Sequence, residues 1–217
     1  MKPNLSFGVI TELSWRGVGD IDECAPTSDL MCVHAVAGWE TLYDIPHYRA
    51  AAGNPDDPTQ GDGLTNAQSV KALRTLYPKL TALPGFAYTE YTTGGPTGSD
   101  FAGAILKRQS VASVSVIAGK LPVHGTFTGQ HRIAVAANGT SFLYGDPLKA
   151  PYSEWRTISV AALAIAIEAY PKNVGGGVIF LPTVDEAFTT HPLYATAAPE
   201  ARAKGIADAA AAAAAVK

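Results

Sequence analysis

Cys24, His131 and Asp146 are the residues whose types and order could carry out nucleophilic chemistry. A cysteine thiolate attacks a carbonyl carbon, an imidazole moves the proton, and a carboxylate fixes the imidazole's tautomer and orientation. Two of the three come from one stretch, His131 through Pro147, which reads as a β-hairpin. Two alternating apolar runs flank Asn138-Gly139, a strong short-range signal for a two-residue turn. With that pair as the loop, Ala137 pairs with Thr140, Val135 with Phe142, Ile133 with Tyr144, and His131 with Asp146. Directly opposed side chains share a sheet face, with Cβ atoms roughly 5 Å apart. An isolated His/Asp pair at a hairpin end is more commonly an edge-strand ion pair. A cysteine placed to complete the set is what turns it into a chemical arrangement.

The element that would position that cysteine runs from Cys24 to Gly38 and reads as a helix. Pro26 fits only a first turn, Asp29 favours the positive end, and Gly38 suits the stop. Leu30, Val33 and Ala37 form an apolar stripe flanked by Met31 and Ala35. Cys24 then lies at the helix N-terminus, where the dipole and free backbone N–H groups favour negative charge. Cys32 reads as a core residue. On one helix the two cysteines would be about 12 Å apart, too far for a disulfide. Free thiols suit synthesis in a reducing cytoplasm.

The remaining elements follow in order. Residues 1–23 read as mostly irregular, and residues 39–60 as a loop containing Pro46, Pro55 and Pro58. Thr65 or Asn66 caps a helix to about Tyr77. Phe86–Tyr91 alternates like a strand, Ser99 or Asp100 opens a short helix through Lys107, and Ala112–Ile117 reads as a core strand with small residues on one face. Tyr152 and Trp155 read as packing anchors, Ile158–Tyr170 as an apolar helix, and Val178–Leu181 as a short buried strand. Residues 197–217 turn alanine-rich and read as a helical tail, separate from a domain spanning residues 1–196.

Composition excludes several classes. The 217 residues carry a formal net charge of -3 with no basic cluster, so a nucleic-acid footprint is missing. No apolar run approaches the roughly 20 residues of a membrane span. The N-terminus lacks the pattern of a signal peptide, which predicts a protein made in the cytoplasm. His47, His124 and His191 show no metal-ligand spacing with one another or with the cysteines, and no cofactor is implied. His124 precedes Gly125 just before the hairpin, where it could line a cleft.

In this context the sequence resembles the papain-like cysteine peptidases, in particular the C39-like branch of bacterial and bacteriophage proteins. The resemblance rests on Asp22-Glu23-Cys24-Ala25-Pro26 opening a helix, on His131-Arg132-Ile133-Ala134-Val135, and on Tyr144-Gly145-Asp146-Pro147. Gly61-Asp62-Gly63-Leu64 before a helix also fits, as does the separation of about 105 residues between Cys24 and His131. It spans roughly residues 18–160.

The resemblance implies an α+β papain-like fold, with a helical lobe and an antiparallel β-sheet. It implies Cys24 as nucleophile, His131 as general base and acid, and Asp146 as the orienting carboxylate. The implied activity is thiol-dependent hydrolysis of a peptide or amide bond, with a protein or a peptidoglycan peptide as substrate. The family's usual upstream Gln or Asn oxyanion donor has no counterpart in residues 16–23, leaving Arg16, or a protonated Asp20, as substitutes. Asp20, Asp22 and Glu23 also crowd the cysteine with negative charge. These departures motivate an alternative: a catalytically weak or inactive structural or adaptor protein of the same fold, in a bacteriophage tail or similar assembly. Its partners would engage residues 199–217.

Overall fold

The computed structural model describes residues 23–37, 45–54, 63–78, 86–92, 98–107, 110–124, 127–148, 155–171 and 176–182. Five α-helices are described: α1 (Cys24–Ala37), α2 (Ile45–Ala52), α3 (Asn66–Leu76), α4 (Gly98–Lys107) and α5 (Val160–Glu168). Six strands accompany them: β1 (Phe86–Thr92), β2 (Val111–Ile117), β3 (Gln130–Asn138), β4 (Ser141–Gly145), β5 (Arg156–Ile158) and β6 (Gly176–Pro182). The strands form one sheet in the order β1-β6-β2-β3-β4-β5, and every pairing is antiparallel. The class is therefore α+β, as expected. The alanine-rich tail and the boundary at residue 197 lie outside the described residues.

The sheet is covered by helices on both faces, and its central strands bury side chains on both. On β2, Val111 faces α1 and α3, whereas Ala112, Val114 and Val116 join the core formed with α4 and α5. On β3, Ala134 and Ala136 meet α1, and Ile133, Val135 and Ala137 face the opposite way. Helix α1 is buried from Ala25 through Val33, including Leu30, Met31 and Cys32. Each large apolar side chain so buried contributes about 1.5–3 kcal/mol. Pairing between β6 and β2 brings the backbones close at Gly177, where an added Cβ would lie 2.3 Å from the Ser113 carbonyl oxygen.

Local sequence explains the helix limits. Thr65 caps α3 in a capping box: its side chain accepts from Gln68 N–H, and the Gln68 side chain accepts from Thr65 N–H at 2.9 Å. Ser159 caps α5 by accepting from Ala162 N–H. The helix expected from Ile158 begins at Val160, because Ile158 belongs to β5 and pairs with Phe142. A second correction is α2, which falls in the stretch read as loop. Pro46 is its second residue, where a missing N–H costs no helical bond.

The hairpin forms, with a register two residues from the expected one. Asn138 pairs with Ser141, Ala137 with Phe142, Val135 with Tyr144, and Ala134 with Gly145. The loop is Gly139-Thr140, with Gly139 at φ 64° in the first loop position, while Asn138 stays in the strand. Glycine supplies the positive φ without steric cost. The Ser141 hydroxyl donates to the Asn138 carbonyl at 3.2 Å and closes the turn. A two-residue slip preserves the faces, since side chains alternate with period two. His131 and Asp146 thus remain on one face, as diagonal rather than direct neighbours.

Candidate active site

Cys24 is the first residue of α1, and the first helical hydrogen bond runs from Thr27 N–H to the Glu23 carbonyl at 3.1 Å. Pro26 has no N–H. The Cys24 and Ala25 N–H groups are therefore those of the first turn without a carbonyl partner within the helix. Cys24 is half-buried and Cys32 fully buried, and both are free thiols.

His131 begins the buried part of β3 and is 2% exposed, and Asp146 just beyond β4 is 1% exposed. Asp146 Oδ1 accepts from His131 Nε2 at 2.8 Å and from Leu148 N–H at 2.9 Å. The local bond to Leu148 N–H helps to orient the carboxylate toward the imidazole. Cys24 lies close enough to the imidazole to act on it through hydrogen bonding and charge. Since Nε2 is taken by Asp146, Nδ1 is the ring nitrogen left for the sulfur. Burial acts to lower the His131 pKa, but the hydrogen bonds and charges of Asp146 and Cys24 outweigh it and raise the pKa from 6.5 to about 10. The shift favours the protonated imidazole.

The structure thus brings together the three residues singled out by the sequence. Arg16 and Asp20 lie outside the described residues. His124 is half-buried, next to Val123, whose carbonyl accepts from the Tyr144 hydroxyl at 3.2 Å. Among the described residues no cluster of His, Cys, Asp or Glu is placed to hold a metal, and no helix is long and apolar enough to cross a membrane.

Several neighbours of the site were not anticipated. Phe127 presents its ring edge-on to His131, with centroids 5.8 Å apart and an interplanar angle of 71°. Glu23, read as negative charge crowding the cysteine, is buried and lies 3.7 Å from the guanidinium of buried Arg49. Asp29 does not serve the helix dipole. It lies beyond the first turn, where Oδ2 accepts from the Tyr48 hydroxyl at 2.8 Å and Oδ1 lies 3.9 Å from Arg132 Nη1. Burial, reinforced by Asp29, raises the Tyr48 pKa well above its usual value, so the phenol remains a donor. The readable signal for this group was Arg132 itself, a cation in the buried run of β3. Its partners are scattered along the chain and gave none.

No protein-family profile matches the chain, and no curated protein does. Among solved structures, the chain is similar to the crystal structure of the Pseudomonas avirulence protein AvrPphB. The two are 15% identical, the match covers 83% of this chain and 98% of that one, and the TM-score is 0.36. At that similarity no residue role or activity transfers, and the chemistry of the site follows from its own geometry.

Proposed function

We propose that the chain is a papain-like cysteine hydrolase that cleaves a peptide or amide bond, with Cys24, His131 and Asp146 as its triad. The observation that carries this reading is the position of His131. One buried imidazole is hydrogen-bonded to the Asp146 carboxylate and lies under the influence of a cysteine at a helix N-terminus. Such a site serves acyl transfer, because a protonated imidazole beside the sulfur favours the thiolate. The C39-like branch and a peptidoglycan or protein peptide substrate belong to the same reading.

The steps follow from the geometry. The Cys24 thiolate attacks the carbonyl carbon, and the Cys24 backbone N–H stabilises the oxyanion at the helix start. The imidazolium gives its Nδ1 proton to the leaving nitrogen as the C–N bond breaks, leaving a thioester on Cys24. The neutral imidazole then takes a proton from water, and the oxygen attacks the thioester. The carboxylic acid departs as the thiolate and imidazolium are restored. Asp146 keeps Nε2–H in place throughout and so presents Nδ1 to the sulfur.

The test is alkylation of Cys24 by iodoacetamide at pH 6, in the wild type and in His131→Ala, alongside hydrolysis of a mixed peptide library. Fast labelling that depends on His131, together with peptide cleavage abolished in Cys24→Ala, is the expected result. Equal and slow labelling in both proteins would overturn an activated thiolate. Activated labelling without cleavage of any amide would favour the alternative, a structural component of a virion or other assembly that keeps the site.

A further inference from the structure

We propose that Arg132 is the positioning residue of the Cys24–His131 pair, tying the helix that carries the cysteine to the strand that carries the histidine. This inference rests on the proposed reading of the site and deepens it. Arg132 follows His131 on β3 and, by strand alternation, points to the opposite face, toward α1 and α3. It is 4% exposed. Its Nη1 donates to Ser69 Oγ at 3.3 Å and lies 3.9 Å from Asp29 Oδ1. Its Nη2 donates to Asn66 Oδ1 and to Ser115 Oγ at 3.3 Å. The Arg132 carbonyl accepts from the Ser28 hydroxyl at 3.0 Å. The planar fork of a guanidinium is suited to this work, since its donors point in fixed directions.

These bonds reach three separate elements. Asp29 and Ser28 belong to α1, Asn66 and Ser69 to α3, and Ser115 to β2. The apolar contact between α1 and β3 is a weak determinant of their register. On the β3 side it is made by Ala134 and Ala136, a smooth surface, and apolar attraction is non-directional. A buried ion pair is also weak as a source of net stability compared with a well-packed apolar replacement. What the Arg132 bonds supply is register. A slide of α1 by one turn would move Cys24 by about 5.4 Å and out of reach of His131. The tether is local to both reacting residues, one position from His131 and five positions from Cys24 at Asp29.

The experiment compares the pH profile of Cys24 alkylation by iodoacetamide in full-length wild type, His131→Ala, Arg132→Met and Arg132→Lys, with folding checked by circular dichroism. In Arg132→Met the labelling rate at pH 6 is expected to fall by about 100-fold, the scale expected of a misplacement near 1 Å, toward that of His131→Ala. Arg132→Lys keeps the charge without the fork and should recover only part of the rate. A folded Arg132→Met with the wild-type profile would overturn the proposal and reduce Arg132 to a stabilising residue. If Arg132→Met does not fold, Ser115→Ala and Ser28→Ala each remove one neutral tether. Several-fold losses at pH 6 in these variants support the proposal, and unchanged profiles overturn it. If wild type and His131→Ala label alike, the functional reading itself fails. If wild type depends on His131 and the Arg132 variants keep that dependence, only the positioning role fails.

Discussion

Asp146 accepts a hydrogen bond from His131 across a diagonal of the hairpin: the residues are not paired in the sheet, yet Nε2 and Oδ1 lie 2.8 Å apart. The diagonal works because Asp146 has left the strand after Gly145 and its carboxylate is fixed by Leu148 N–H. A directly opposed pair would be held by strand register alone. Here the acid is oriented by a local turn, and the imidazole is oriented by the acid.

That arrangement gives a pH dependence with a definite sign. His131 is raised from 6.5 to about 10, mainly by Asp146 and Cys24 acting against burial. A raised pKa means stability fully present below pH 6.5 and lost as pH rises through about 10. In Cys24→Ala both contributions of the cysteine disappear, so the histidine titrates lower and the loss ends at lower pH. Denaturant unfolding between pH 6 and 10.5, with NMR titration of the His131 ring protons, reads both effects. An identical His131 titration in the two proteins would show that the cysteine does not act on the imidazole.

A second prediction isolates the turn. Gly139 sits at φ 64° with nothing within 4 Å of an added Cβ. Gly139→Ala therefore carries a backbone cost with no clash, about 1–2 kcal/mol. Urea unfolding should show that loss while His131-dependent labelling of Cys24 is retained, because the turn lies at the far end of β3 and β4 from the site. A stability change near zero would mean that the loop had rearranged to a conformation without a positive φ at position 139.

The hairpin shows what the sequence could and could not specify. Asn-Gly between alternating runs located the turn, and alternation put His131 and Asp146 on one face. Both facts survive a slip of two residues, so the site was legible even though the register was not. Helix α2 was hidden because Pro46, read as a loop residue, occupies a helix's first turn. The Arg132 group was hidden for a different reason. Asp29, Asn66, Ser69 and Ser115 are each ordinary in their own segments, and only the packing of α1 and α3 on the sheet brings them to one guanidinium. Periodicity reads local faces and does not read such tertiary convergence.

The acidic approach to Cys24 takes on a different meaning once Glu23 is seen beside Arg49. Both are almost fully buried, 3.7 Å apart, with Glu23 immediately before the cysteine. Arg49 comes from α2, so the neutralising charge is supplied by the helix that the sequence concealed. Arg49→Met removes that counter-charge from a buried carboxylate, and breaking such a pair costs about 3–5 kcal/mol. With a negative charge left one residue before Cys24, labelling of Cys24 at pH 6 should slow in any fraction that stays folded. Arg49→Met combined with Glu23→Gln removes both charges and should recover part of the stability and of the labelling rate. Such recovery would show that the pair matters through charge compensation. A double variant no better than Arg49→Met would mean that Arg49 acts through packing of its side chain against α1.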